Sequence, residues 1–286
     1  MSRSEARTGR CICWAAGPAP ITRARRGDKV VTVSGLGNDE CMWTRLWRQA
    51  ASLRRWVQGA SIFNLSVSVC EPDERKVVVL APHMDDEVLG CGGTIARHIA
   101  AGSEVSVVYL TDGRYGGDPA VRKIEARRAG DILGVGAIHF LDAEDSRLSE
   151  DREVAAKLRV ILQRERPDIV YVPFFLENHA DHRAANTVLF AATRGTSLSF
   201  ECRGYEVWAP LFPNCVVCID ETVHLKRQAM DCYVSQNAVR DYLHSNLGLN
   251  AYRAMSVAVG ANARYVEAFH ALPLSDYRRL HEAAFR

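Results

Sequence analysis

Residues 76–81, Lys-Val-Val-Val-Leu-Ala, are apolar and β-branched with no polar alternation. A strand of this kind hides both faces, which places it inside a parallel sheet covered by helices on either side. Close behind it stand three consecutive acids, Asp85, Asp86 and Glu87, preceded by Pro82-His83-Met84. Carboxylates grouped at the end of a buried strand repel one another and lose hydration, and a bound cation removes that cost. An acidic first turn that favours the dipole of a following helix is the plainer explanation. The motif alone leaves both open.

The segments that follow alternate. Residues 94–101 read as a helix stopped by Gly102, 105–110 as a strand and 118–133 as a helix opened by Asp118-Pro119. A short strand is expected at 138–141, an amphipathic helix at 150–166 ended by Pro167, a strand at 168–172 and a helix at 182–194. This order predicts an α/β fold: a Rossmann-like, mostly parallel sheet with helices on both faces. Beyond Gly204 the pattern suggests short strands at 205–208 and 216–219, then helices from about His224.

A second polar motif, Asn178-His179-Ala180-Asp181-His182, follows the strand that ends at Val172. Two histidines three residues apart around an aspartate suit a metal or acid–base site. Ligands of open α/β sheets bind outside the carboxyl ends of the strands, where both motifs lie. The run Gly90-Cys91-Gly92-Gly93 invites a dinucleotide-binding reading. The adjacent acids would repel a pyrophosphate, and the glycine spacing differs from the nucleotide fingerprint, so that reading is set aside.

Composition narrows the partners. With 36 basic and 34 acidic residues the formal net charge is +2, too weak a basic field for a dedicated nucleic-acid binder. Nine cysteines at irregular spacing argue against a disulfide framework and for free thiols in a reducing cytoplasm. Cys215 and Cys218 form a CxxC inside an apparent strand, where positions three apart point to opposite faces, so a shared metal or disulfide is not expected. No apolar run approaches the roughly 20 residues of a membrane span.

Two domains are expected, a partly disordered N-terminal extension at 1–72 and, at 73–286, the domain that carries both motifs. The extension starts rich in Arg, Gly and Pro and carries a basic amphipathic helix at about 42–57 with Trp43, Trp47 and Trp56. Docking on its own domain is the plain reading of this helix; peripheral contact with an anionic membrane is the second. Translation starting at Met42 is a third possibility for the same region.

The two motifs, PHMDDE and HADH in this chain, together with Gly92-Gly93-Thr94, Thr111-Asp112-Gly113 and Arg122-Lys-Ile-Glu125, resemble the PIG-L (LmbE-like) family of de-N-acetylases over roughly residues 75–270. Met84 and Ala180 stand where the family usually has prolines, neither of which supplies a ligand. The resemblance implies zinc (Zn2+) held by His83, Asp86 and His182, with ferrous iron (Fe2+) suited to the same set. It implies Asp85 as general base, His179 as a cation stabilising the oxyanion, and Asp181 orienting His179. Arg122 and, on a looser match, Asp145 would contact the sugar. The implied reaction is hydrolysis of the N-acetyl group of an N-acetylglucosamine conjugate, a small-molecule partner. A zinc hydrolase of a non-sugar amide and a non-enzymatic binding module of the same fold are the alternatives.

Overall fold

A computed structural model of the chain describes residues 66–73, 75–257 and 262–285. The helix expected at 42–57, and the membrane reading with it, lies outside the described residues, as does most of the expected extension at 1–72. Among the described residues no helix is long and apolar enough to cross a membrane.

The described chain runs β1 (Ser68–Val69), β2 (Lys76–Ala81), α1 (Asp86–Ala100), β3 (Glu104–Thr111), α2 (Pro119–Leu133), β4 (Ala137–Ala143), α3 (Glu153–Glu165), β5 (Ile169–Pro173) and α4 (Ala180–Thr193). It continues through β6 (Glu201–Tyr205), β7 (Cys215–Cys218), α5 (Val223–Asp231), α6 (Val234–Asn237), α7 (Tyr242–Ser256), β8 (Val266–Pro273) and α8 (Leu274–Phe285). The eight strands form one sheet in the order β1-β7-β8-β6-β5-β2-β3-β4. β2 pairs in parallel with both β3 and β5, and β5 in parallel with β6; only β8 is antiparallel to its neighbours β6 and β7. The fold is thus the expected mostly parallel α/β sheet.

The chain builds outward from β2 to β3 and β4, then returns to lay β5 on the other side of β2. That reversal opens a crevice at the carboxyl ends of β2 and β5, the place where such sheets bind ligands. The polar motifs follow these two strands.

The unbroken apolar character of β2 has its cause in the two layers. Val78 and Leu80 belong to a core that includes Leu158 of α3 and Leu189 of α4. Val77 and Val79 belong to the opposite core, with Ile95 of α1 and Ala129 of α2. Every residue of β2 except Lys76 is buried.

The glycine run lies inside α1, which starts eight residues before the helix expected from periodicity. A Cβ on Gly90 would overlap the Tyr205 ring, and one on Gly93 would come within 2.6 Å of Ile219. The glycines let the helix lie close on the sheet, which disposes of the nucleotide-loop reading on structural grounds.

The C-terminal third departs from expectation. The strand expected at 205–208 lies at Glu201–Tyr205, because the main-chain N–H groups of 207–209 are drawn to a side chain instead of a sheet partner. β8 falls where only helices were expected; its single register with β6 and β7 comes from long-range pairing. The strand reading of Cys215 and Cys218 holds. Free thiols throughout do not: Cys70 and Cys215 are joined by a disulfide, with Cα atoms 5.8 Å apart. The cause is the pairing of Ser68 with Cys215 in parallel strands β1 and β7, across a separation of 145 residues that spacing does not reveal.

Tyr205 is fully buried and donates from its hydroxyl to Leu80 O at 2.8 Å, so its ring has little freedom to retreat. Gly90→Ala is therefore expected to destabilise the protein by about 1–3 kcal/mol through overpacking. The check is urea unfolding, with a lower midpoint at an unchanged m value.

Candidate metal and catalytic site

The carboxyl ends of the central strands and the loops behind them supply the site. A cavity of about 190 Å³ lies there, and His83, Asp85, Asp86, Arg122, Asp145 and His179 line it among others. All of these were expected from the sequence. His182 and Asp181 are buried directly behind, at 0% and 1% exposure.

Asp86 stands at the centre. Its Oδ2 accepts from the main-chain N–H of His83 at 2.9 Å and lies 3.3 Å from both His83 Nδ1 and His182 Nε2. Ligand atoms about 2.0–2.1 Å from a shared tetrahedral centre sit roughly 3.3–3.4 Å apart, so this spacing suits a common ion. Neither ring nitrogen of His182 makes an aligned hydrogen bond among the described residues, although Nε2 lies 3.3 Å from Asp86 Oδ2 and Nδ1 3.5 Å from Glu177 Oε2; a metal bond on one nitrogen would satisfy it. His83, His179 and His182 can also bring one nitrogen each within 4.8 Å of one another. Asp86 is the better third donor, since it is nearly fully buried and touches both rings, whereas His179 Nδ1 already accepts from Asp181 N at 3.2 Å. The donors present therefore fit a divalent ion with an N, N, O set.

The three acids after β2 have three different surroundings. Asp85 caps α1 with φ of 134°, a backbone region that L-residues rarely adopt. Its N–H donates to Glu87 Oε2 at 3.1 Å, and its Oδ1 lies 3.6 Å from Arg122 Nη2. Glu87 points away from the cavity and accepts a short hydrogen bond from the Tyr233 hydroxyl. This arrangement turns Asp85 toward the cavity and Asp86 toward the histidines.

Electrostatics separate the acids further. Burial, followed by the charge of Asp86, pushes Asp85 up to about 8. Burial would also raise Asp86, but His182 and then His83 outweigh it and hold Asp86 well below the usual carboxylate range. Burial alone would lower His182, yet Asp86 carries it up to about 9. His83 is likewise raised against burial, by Asp145, Asp181 and Asp86. The crowded acids thus favour positive charge on both rings, each raised against the effect of its burial.

Two of the implied roles meet a different local arrangement in the metal-free chain. Asp181 was expected to orient His179. Its carboxylate instead accepts from Ser146 N at 2.7 Å and Leu148 N at 3.2 Å and lies 3.2 Å from His83 Nε2. Position 181 is in the first turn of α4, and its side chain turns back to the loop after β4; only its main-chain N–H reaches His179. His179 was expected to be cationic. Burial, then the neighbouring charges of His83 and His182, lower its pKa instead. Since Nδ1 accepts a main-chain hydrogen bond, the neutral ring carries its proton on Nε2 and is still a donor.

Asp145 lies 3.3 Å from His83 Nε2 and accepts from Tyr115 N at 3.0 Å, so it serves the histidine as well as the cavity wall. Arg122 donates to Gly113 O at 2.9 Å and Met84 O at 2.6 Å, which ties the loops after β3 and β2 together. Sequence reading missed Trp208, Tyr242 and Gln236, which complete the wall. They come from the poorly periodic C-terminal third. The one available signal was Trp208, a large aromatic at the end of an expected strand.

The chain is similar to several known proteins. The family model described as PIG-L, GlcNAc-PI de-N-acetylase, matches residues 78–193. A diacetylchitobiose deacetylase from Thermococcus kodakarensis is 33% identical over 204 residues, covering 62% of this chain and 76% of that protein. Among solved structures, the conserved protein TT1542 from Thermus thermophilus is 31% identical with a TM-score of 0.61, over 68% of this chain and 93% of that one. The N,N'-diacetylchitobiose deacetylase from Pyrococcus horikoshii, complexed with its inhibitor MPG, has a TM-score of 0.62 at 24% identity, over 84% and 97% of the two chains, and shares the fold.

The raised groups give a pH signature. His182, at about 9 in the folded chain against 6.5 when free, stabilises the metal-free fold fully below about pH 6.5, and that stability is lost as pH rises through about 9. Asp85, at about 8 against 3.8, adds a cost that grows with pH up to about 8, in the same direction. At about 1.4 kcal/mol per pKa unit, the His182 contribution is on the order of 3 kcal/mol. Melting curves in chelator are expected to fall in midpoint from pH 6.5 to 9, and saturating zinc to flatten that slope.

Proposed function

The chain belongs to the PIG-L family of de-N-acetylases, and on that premise we propose that it hydrolyses the N-acetyl group of an N-acetylglucosamine-containing conjugate at a zinc site formed by His83, Asp86 and His182. The observation that carries this reading is the seat of Asp86 between one histidine from each motif, with Asp85 beside it facing the cavity. When bound, the metal supplies a Lewis acid that polarises the acetyl carbonyl and lowers the pKa of water.

The remaining chemistry belongs to side chains. Asp85 takes the proton of the attacking water and returns it to the leaving amine; burial and Asp86 raise its carboxyl to about 8 in the metal-free chain, and a cation bound beside it would lower that value into the range of a base at neutral pH. Its strained backbone holds it toward the cavity, so no reorganisation is needed as the water attacks. His179 donates from Nε2–H to the oxygen that gains charge; its Nδ1, fixed by Asp181 N–H, keeps the ring in that tautomer. Asp181 and Asp145 together hold His83 with Nδ1 toward Asp86.

For the sugar, Arg122 and Asp145 supply polar contacts deep in the cavity, and Trp208 offers an aromatic face at 44% exposure. The Trp208 ring meets Tyr242 edge to face at 5.7 Å and packs under the Arg240 guanidinium, which keeps it in place. The cavity is small beside the roughly 300–1,000 Å³ pockets of drug-sized ligands and suits one acetamido sugar more than an extended chain.

Acetate release from a panel of N-acetylglucosamine conjugates and non-sugar acetamides, with and without zinc, tests the proposal; equal rates on both classes would remove the sugar assignment. Asp85→Asn is expected to retain stoichiometric zinc while kcat/KM falls about 10²–10⁴-fold. A variant that keeps its rate with zinc bound would exclude Asp85 as the base. Trp208→Ala is expected to raise KM about 3–10-fold, the equivalent of roughly 1 kcal/mol of aromatic contact, with a smaller effect on kcat.

A further inference from the structure

Glu177 was not among the residues expected to matter, and the mechanism above does not use it. It follows β5 by four residues and is fully buried. Its Oε1 accepts from three consecutive main-chain N–H groups, Val207 at 2.7 Å, Trp208 at 2.9 Å and Ala209 at 3.1 Å. Its Oε2 accepts from Trp208 N and Asn178 N, both at 3.2 Å, and stands 3.5 Å from His182 Nδ1. One carboxylate thus touches both the loop that presents Trp208 and the ring proposed to bind the metal.

The two histidines beside Asp86 are arranged alike. His83 turns Nδ1 to Asp86 Oδ2 and Nε2 to the carboxylates of Asp181 and Asp145. His182 turns Nε2 to Asp86 Oδ2 and Nδ1 to Glu177. A carboxylate that already collects N–H donors from two loops is an acceptor, and it can pair with His182 only if the ring proton is on Nδ1. That tautomer leaves the Nε2 lone pair on the Asp86 side, where a metal would be.

We propose that Glu177 is a positioning residue that sets the tautomer and orientation of His182 for metal binding, and with the same carboxylate holds the Trp208 loop at the cavity wall. The inference rests on the metal-site reading above. Glu177→Gln separates the two jobs. The amide oxygen can replace Oε1 and keep the three loop N–H groups. The amide NH2, in the place of Oε2, donates to Nδ1 and moves the ring proton to Nε2, facing the metal.

The experiment is a zinc titration of metal-free protein against a chromophoric chelator, with melting curves in chelator alongside. The unaltered chain is expected to bind one zinc, and Glu177→Gln to bind it about 10–100-fold more weakly. The metal-free melting temperature is expected to fall by a few degrees, because the amide NH2 cannot accept from Asn178 N as Oε2 does, while the loss of zinc affinity is the larger effect; kcat is expected to fall while KM at saturating zinc stays near the original. Equal zinc affinity in the two proteins would overturn the inference and leave the metal site standing. Failure of the unaltered chain to bind zinc would overturn both. A second measurement needs no variant: long-range 1H–15N correlation of the histidine rings in the zinc-loaded chain. His182 protonated at Nδ1 and metal-bound at Nε2 is expected; the reverse would overturn the inference.

Discussion

The buried carboxylate of Asp86 is the constraint around which the rest is arranged. A buried charge persists only when paired, and this one is paired with rings from two segments almost a hundred residues apart. Meeting that demand requires β2 and β5 to be neighbours with their carboxyl ends flush, which the reversal of strand order between them provides. It also requires α1 to begin at Asp86 itself, and this leaves Asp85 in an unfavourable backbone conformation at the helix cap. The strain is localised at the residue proposed as the base.

Around that centre the acids divide their work by direction. Asp85 faces the cavity, Glu87 backs onto Tyr233, Asp145 and Asp181 converge on His83, and Glu177 approaches His182. A cluster of carboxylates this dense would repel itself apart without cations. The nearby acids raise the pKa of both His83 and His182 against burial, and a divalent ion placed between the rings would answer the same negative field. On the proposed reading the histidines are charge partners of the acids in the metal-free chain and ligands when an ion is bound, with the outer carboxylates setting which nitrogen faces it.

The packing behind the site follows from the same need for close approach. Glycines at 90 and 93 allow α1 to press on Tyr205 and Ile219. On its far side the helix is held by a fully buried ion pair, Lys226 with Glu267, in which Glu267 also accepts from Gly93 N and Thr94 N. The loop with Trp208 is anchored from both sides, by Glu177 at 207–209 and by the buried Glu206–Arg253 pair at Leu211. The wall of the cavity is thus tied down by hydrogen bonds on both sides of Trp208.

The sequence by itself determined the core strand at 76–81, the alternation of strands and helices as far as α4, and the two polar motifs at strand ends. Each of these is a short-range pattern: side chains in a strand or helix reveal their faces within a few residues, and the motifs are contiguous. It did not determine β8, the Cys70–Cys215 bond, the place of Trp208 or the partner of Asp181. These depend on which segments lie side by side after folding, from parts of the chain far apart in sequence. Protonation is the clearest case. The resemblance implied a cationic His179, but its neighbours in space include two other histidines, and these, after burial, lower its pKa in the metal-free chain. Local pattern selects the elements and the reactive groups; only the register of the sheet decides what each group faces, because charge and hydrogen bonding act through distance in space and not along the chain.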